Sequence, residues 1–295
     1  MTITKLGVVG CGAMGAGIVQ VSLHAGYEVV VREIDDVLLQ KGIAVIEKAF
    51  EKMVNKGSLA VEKRESMLNR LTGITSLEGL AECDCVIEAA PENIALKLDL
   101  FQALDGACKK NAIFATNTSS LSVTEMAMAT TRPERFVGLH FFNPVTIMPL
   151  VEVIKTLTTA SAVLETVLTF IKSLDKTAII AKDNTGFIVN LFLTPFLMDA
   201  IRGVGEGVAS VQDIDLGMKL GCNHPMGPLM LADFIGLDVL CNGAIRMYEE
   251  YKDKRYAPPP ILNKLVLMGD LGRKTGKGFY DWSDLQSPKP MELEF

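Results

Sequence analysis

The stretch Lys5-Leu6-Gly7-Val8-Val9-Gly10-Cys11-Gly12-Ala13-Met14-Gly15 decides the fold. A short apolar run reads as a buried strand, and it passes straight into G-x-G-x-x-G. Ile18, Val19, Val21, Ser22 and Leu23 then form the packing side of a helix. Gly26-Tyr27-Glu28 turns the chain into a second strand, Val29-Val30-Val31, and an acid, Glu33, stands at its end, 18 residues beyond Gly15. The glycine pattern alone is weak; the strand before it, the helix after it and the acid beyond give it meaning. Gly10 permits the tight turn, Gly12 lets backbone approach a pyrophosphate, and Gly15 lets the helix pack closely on the strand. The turn through Gly12, Ala13, Met14 and Gly15 presents helix-start amides and the positive end of a dipole to phosphate. Glu33 is placed to accept from ribose hydroxyls and to repel a 2′-phosphate, which favours NAD over NADP, although neighbouring Arg32 pulls the other way.

Working outward, residues 36–56 carry a long helical pattern, and Lys48, Lys52 and Lys56 recur every fourth position on one face of it. Such a face is ordinarily just solvated; on an acidic protein it is also a dock for an anionic substrate tail. Residues 59–71 read as a further, charge-rich helix. Cys83-Asp84-Cys85-Val86-Ile87-Glu88-Ala89-Ala90 reads as a buried strand, and Pro91-Glu92-Asn93 as the start of the next helix, with Lys97 one turn on. Residues 112–116 form another strand, which runs into Asn117-Thr118-Ser119-Ser120; residues 135–142 form one ending in His140. The ordinary role for such polar residues is to cap the helix that follows. Strand and helix alternate throughout, which predicts a Rossmann-like, doubly wound, mostly parallel α/β sheet. The glycine loop, Glu92, Asn117, Ser119 and His140 all fall at C-terminal strand ends, where such sheets bind ligands.

Gly138-Leu139-His140-Phe141-Phe142-Asn143-Pro144 and Leu150-Val151-Glu152-Val153-Ile154 are two apolar runs with one ionisable residue each. A lone His or a lone Glu is costly to bury unpaired, so the two are expected to meet. A carboxylate on one imidazole nitrogen fixes the tautomer and makes the other nitrogen a better base. On these residues alone, a structural His–Glu bond competes evenly with a catalytic one.

The 295 residues suggest two domains, placed at 1–183 and 184–295, because the alternation stops at Asp183-Asn184-Thr185-Gly186. Beyond it the chain reads as helix or loop: a helix over 187–201 that is apolar nearly all round, as a helix buried on every side or partly in a subunit interface would be, a helix over 212–220 and a further helical stretch over 229–251 with Gly236 near its middle. A proline-rich loop over 255–260 follows, then a basic glycine-rich segment over 271–280 and a frayed tail after Trp282. The glycine-rich segment misses the phosphate-loop spacing. A net charge of −6 argues against nucleic acid as a partner. Six scattered cysteines and three histidines give no metal-ligand spacing. The longest apolar stretch is too short for a membrane span and contains Asn190, Pro195 and Asp199. A cytoplasmic enzyme without a metal is the expectation.

Taken in order, these motifs resemble the short-chain 3-hydroxyacyl-CoA dehydrogenases, especially the bacterial 3-hydroxybutyryl-CoA dehydrogenases. The resemblance spans nearly the whole chain: the glycine loop, Glu88-Ala89-Ala90-Pro91-Glu92-Asn93, Asn117-Thr118-Ser119-Ser120, the two apolar runs, Gly186-Phe187-Ile188-Val189-Asn190, His224-Pro225-Met226-Gly227-Pro228 and the basic glycine-rich segment. It implies NAD in the first domain and dimerisation through an all-α second domain. It implies that His140 takes the proton of a 3-hydroxyl, that Glu152 supports it, and that Ser119 and Asn190 hydrogen-bond the reacting oxygen. Glu92 and Asn143 would line the site, Lys97 and Asn117 would lie near the cofactor, and Lys52 and Lys56, with Ser119, would serve the CoA substrate. Thr185 and Leu191 depart from the family's Pro and Arg, and Glu33 stands where Asp is commoner. Two other readings compete: a sugar-acid or 3-hydroxy-acid dehydrogenase that does not use CoA, and a nucleotide-binding protein that has lost catalysis.

Overall fold

A computed structural model describes residues 2–292. Contacts divide the chain into two compact units, Met1–Phe187 and Ile188–Phe295. The first contains strands β1 (Lys5–Val9), β2 (Glu28–Arg32), β3 (Leu71–Ile74), β4 (Cys85–Glu88), β5 (Ile113–Thr116), β6 (Phe136–Phe141), β7 (Leu150–Lys155) and β8 (Thr177–Lys182). Its helices are α1 (Ala13–His24), α2 (Asp36–Asn55), α3 (Val61–Leu68), α4 (Ile94–Ala107), α5 (Val123–Met128) and α6 (Ser161–Ser173). The eight strands form one sheet in the order β3-β2-β1-β4-β5-β6-β7-β8. Every neighbouring pair is parallel except β6 with β7.

The apolar runs become central strands because both their faces are covered: β4, β5 and β6 are buried at every residue. Successive side chains point to opposite faces. Ile113 and Ala115 join the core cluster that holds α1 and α6, while Phe114 between them meets Phe101 of α4. Phe101 also meets Phe136, with ring centroids 4.6 Å apart.

Expectation and structure part in several places. The helix expected over 59–71 stops at Leu68, and Leu71–Ile74 is the edge strand β3. Its sequence, Leu71-Thr72-Gly73-Ile74, is too short and too polar to announce a strand; its partner β2 orders it. Pro91 does not open α4: Asn93 is its N-cap, its side chain accepting from the Leu96 N–H.

The second unit holds α7 (Val189–Gly205), α8 (Val211–Gly221), α9 (Pro228–Ile235), α10 (Leu237–Tyr251) and α11 (Pro260–Met268), with short strands β9 (Tyr280–Asp281) and β10 (Lys289–Pro290). The helical stretch over 229–251 is two helices that part at Gly236, whose φ of +98° is open to glycine, and α9 and α10 meet at 96°. α11 emerges from the far side of the proline loop, with Pro260 at its first position. α7 is not buried all round, since Phe192 is 71% exposed. The segment after Trp282 returns to pair β10 with β9 instead of fraying; residues 293–295 lie outside those described. No single helix among the described residues is long and apolar enough to cross a membrane.

Two buried acids hold this second unit together. Asp215 accepts from the Leu229 and Met230 N–H groups, the first turn of α9, and from the Tyr280 hydroxyl. Asp233 accepts from the Phe279 and Tyr280 N–H groups and from the Trp282 indole. The glycine-rich segment therefore ends as a wrap around a carboxylate. Gly278 is required there, because a Cβ would fall 2.2 Å from an Asp233 oxygen.

Candidate active site

The glycine loop follows β1 at its C-terminal end. Gly10 has φ +95°, and a Cβ there would lie 2.7 Å from the Ala89 carbonyl oxygen. At Gly15 the Cβ would lie 1.9 Å from the Gly10 carbonyl oxygen. Around Gly12 nothing lies within 4 Å, so backbone is open to an approaching ligand. α1 has no side-chain cap, unlike α2, α4 and α5, which Asp35, Asn93 and Ser122 cap, and no acid stands in its first turn. Its leading amides, at Ala13, Met14 and Gly15, are thus left for an anion. Glu33 folds back on the loop: its oxygens accept from the Cys11 N–H at 2.6 Å and the Ile34 N–H at 3.0 Å. Each oxygen keeps a lone pair for a hydroxyl. Arg32 points elsewhere, its Nε donating to the Thr75 carbonyl. Burial, and then the Glu33 charge, push the Cys11 thiol up to about 11, so the loop cysteine is no nucleophile. These residues fit a dinucleotide.

At the ends of β4 and β5 lies an ionic network. Glu88, fully buried, accepts from Lys97 Nζ at 2.5 Å, the Ala90 N–H and the Thr116 hydroxyl. Lys97, 1% exposed, also approaches Glu92 Oε2 at 3.4 Å. Glu92 accepts from the Thr118 hydroxyl at 2.6 Å, the Ser119 N–H at 3.1 Å, the Ser120 hydroxyl at 3.3 Å and the Ser119 hydroxyl at 3.4 Å. Burial alone would raise the Glu92 carboxyl, but the Lys97 charge and the Thr118 and Ser119 donors outweigh it and hold it below the ordinary range. Asn117 ties β5 to β6, its Oδ1 accepting from the Phe141 N–H at 2.9 Å.

His140 lies near the C-terminal end of β6, and Glu152 on β7 is its register partner in the one antiparallel pair of the sheet. Opposed residues on antiparallel strands share a face at short range. His140 Nδ1 lies 2.6 Å from Glu152 Oε2, with His140 7% exposed and Glu152 fully buried. The Nδ1–H donates to the carboxylate, which leaves Nε2 as the basic nitrogen. Phe142 and Phe187 pack against the imidazole at 4.5 and 5.6 Å between centroids. Asn143 is exposed on the turn beyond Phe142. Lys176 fastens that turn by donating to the Val145 and Met148 carbonyls.

The predicted residues thus fall into three groups at one sheet edge: the loop with Glu33, the Lys97–Glu92–Ser119 network, and the His140–Glu152 pair. Lys52 and Lys56 are exposed at the end of α2. Asn190 belongs to the second unit, in the first turn of α7. Sequence reading passed over Glu88, although an acid inside Val86-Ile87-Glu88 carries the same signal as Glu152. It also passed over Thr116, Thr118 and the two rings flanking His140. Among the described residues, no group of His, Cys, Asp and Glu is arranged to hold a metal ion.

The family model of the 3-hydroxyacyl-CoA dehydrogenase NAD-binding domain matches residues 5–184, and that of the family's C-terminal domain matches residues 186–282. A 3-hydroxybutyryl-CoA dehydrogenase of Clostridioides difficile is 42% identical, over 95% of this chain and 99% of its own. That of Bradyrhizobium diazoefficiens is 44% identical, over 95% and 96%. The crystal structure of (S)-3-hydroxybutyryl-CoA dehydrogenase from Ralstonia eutropha superposes with a TM-score of 0.93 at 43% identity, covering 96% of this chain and all of the other. With its NAD-binding domain and its helical C-terminal unit, the chain belongs to the 3-hydroxyacyl-CoA dehydrogenase family.

Proposed function

We propose that the protein oxidises (S)-3-hydroxyacyl-CoA, with 3-hydroxybutyryl-CoA as substrate, to the 3-ketoacyl-CoA, and catalyses the reverse reduction. The observation that carries this reading is the buried His140–Glu152 pair at a ligand-binding sheet edge. His140 Nε2 takes the proton of the 3-hydroxyl, and the Glu152 carboxylate stabilises the imidazolium that forms. NAD, bound on the glycine loop, supplies the acceptor for the hydride that leaves C3. The Ser119 hydroxyl, held by Glu92 in the free enzyme, turns to the reacting oxygen, and Asn190 donates to the same oxygen. Glu92 and Asn117 shape the cofactor side with Asn143, and Lys97 serves it through Glu92. Lys52 and Lys56 dock the CoA phosphates. The chain acts as a homodimer through its second unit, a reading supported by the exposed apolar side chains of Phe192, Val208 and Leu220.

The test is NADH oxidation with acetoacetyl-CoA. Wild type turns over, His140→Gln loses at least a hundredfold in kcat, and Lys52→Glu with Lys56→Glu raises KM for acetoacetyl-CoA at least tenfold with NADH affinity kept. Turnover by His140→Gln at the wild-type rate refutes the base assignment. An unchanged KM in the double variant points to a substrate without CoA.

A further inference from the structure

We infer that Phe187 is a positioning residue for His140: the chain holds a bulky aromatic in a left-handed backbone conformation so that its ring walls the imidazole. The inference rests on His140 being the base proposed above. Among the described residues, four that are not glycine have positive φ: Asp175, Phe187, Asn223 and Lys252. Asp and Asn tolerate that region through local hydrogen bonds, and Lys252 caps the exposed end of α10. Phe187, at φ +49° directly after Gly186 at +85°, has no such excuse. A bulky side chain there is strained and persists only where its surroundings over-determine it.

What over-determines it is the ring. Phe187 is 3% exposed, and its N–H donates to the Asn184 carbonyl, closing a tight turn. From that turn the ring reaches back to His140 with centroids 5.6 Å apart and planes at 56°. Phe142 meets the same imidazole at 4.5 Å and 49°. Glu152 fixes one atom of the imidazole, Nδ1, but a single hydrogen bond leaves the ring free to rock about it. Two aromatic walls remove that freedom, and the direction of Nε2 is then set by packing. An extended backbone at residue 187 would send the side chain elsewhere and leave Phe142 as the sole wall. The strain is therefore tied to the aim of the base. The Gly186-Phe187 pair, which the resemblance treats as a motif, acquires a physical reason: glycine starts the left-handed turn and phenylalanine completes it.

The test compares Phe187→Met, which keeps apolar volume without a flat ring, with Phe187→Gly, which removes the ring and relaxes the backbone. Expected for both is a fall in kcat of roughly tenfold to thirtyfold, in line with the cost of a misaimed catalytic group. KM for acetoacetyl-CoA and Kd for NADH stay within about twofold. The proton NMR signal of the His140 Nδ1–H, assigned by its absence in His140→Gln, broadens or shifts upfield in both. Phe187→Tyr keeps the ring and restores kcat and the signal. Wild-type kcat with an unmoved proton signal in either folded variant overturns the inference. So does a loss confined to NADH affinity or thermal stability with the signal unmoved, which would make Phe187 merely structural. If instead His140→Gln itself turns over normally, the base assignment falls, separately from any result at Phe187.

Discussion

Replacing Glu152 with Gln removes one charge from a fully buried position while changing its shape little. In the transition state for oxidation His140 becomes an imidazolium beside that charge. At a separation of about 4 Å between charge centres and an effective dielectric of about 20, the pair is worth ~4 kcal/mol. The amide returns ~1 kcal/mol through a neutral hydrogen bond. The net loss of ~3 kcal/mol corresponds to a fall of roughly a hundredfold in kcat. A second effect has the same sign. The Gln amide can donate to Nδ1, which selects the tautomer with its proton on Nε2 and leaves no base facing the substrate. Glu152→Asp keeps the charge but withdraws it by one methylene from a 2.6 Å contact, so it should fall between wild type and Gln. Steady-state NADH oxidation with acetoacetyl-CoA measures all three, with circular dichroism and melting temperature as controls. The loss in kcat/KM is the same in both directions, because the overall equilibrium constant is unchanged, whereas kcat falls more in oxidation, where His140 starts neutral, than in reduction, where it starts as the imidazolium. A folded Glu152→Gln enzyme with kcat within about threefold of wild type would refute the reasoning and leave the pair a structural bond.

Gly12→Ala should fold normally, since nothing lies within 4 Å of the new methyl, yet weaken NADH binding at least tenfold in fluorescence titration. Gly10→Ala should instead lower the melting temperature, through φ +95° and contact with the Ala89 carbonyl. Asp233→Ala strands the Phe279 and Tyr280 amides and the Trp282 indole, at roughly 1–3 kcal/mol for each buried donor left unpaired. Fluorescence of Trp282, the chain's only tryptophan, should report that unfolding. The Glu92 carboxyl is lowered in the folded state, so its contribution is present above the ordinary glutamate range and lost as pH falls through the lowered value. Glu92→Gln should therefore flatten the acid limb of a plot of melting temperature against pH; an unchanged limb would count against the network.

The first unit was legible where pattern and physics coincide. The glycine loop, the buried strands and the His–Glu meeting could all be read because each run was long, apolar and interrupted by one residue that needed a partner. β3 was illegible because its four residues owe their strand to β2, and no local preference marks them. Gly236 could be seen in the middle of its helical stretch, but whether a lone glycine there bends or breaks a helix is settled only by tertiary contacts that demand a positive φ. Lys97 is held by Glu88, an acid that looks like part of an ordinary buried strand until its partner is seen. The rings of Phe142 and Phe187 looked like ordinary core, because nothing in a sequence tells which buried ring meets the imidazole.

Four buried carboxylates show why site and scaffold look alike in sequence. Glu88, Glu152, Asp215 and Asp233 are all acids among apolar residues, and all are satisfied. Asp215 and Asp233 meet backbone amides, an indole and a hydroxyl, groups that do not give up a proton in the working range. They hold chain segments together. Glu152 meets an imidazole, and Glu88 meets a lysine that in turn biases Glu92 and through it the Ser119 hydroxyl. The distinction lies in the donor, and the donor arrives from a distant part of the chain. A buried acid in a sequence therefore announces a partner with certainty and a function only once the partner is known. In this fold the antiparallel turn from β6 to β7 is what decides the matter for Glu152: reversing the chain direction after β6 sets it opposite His140.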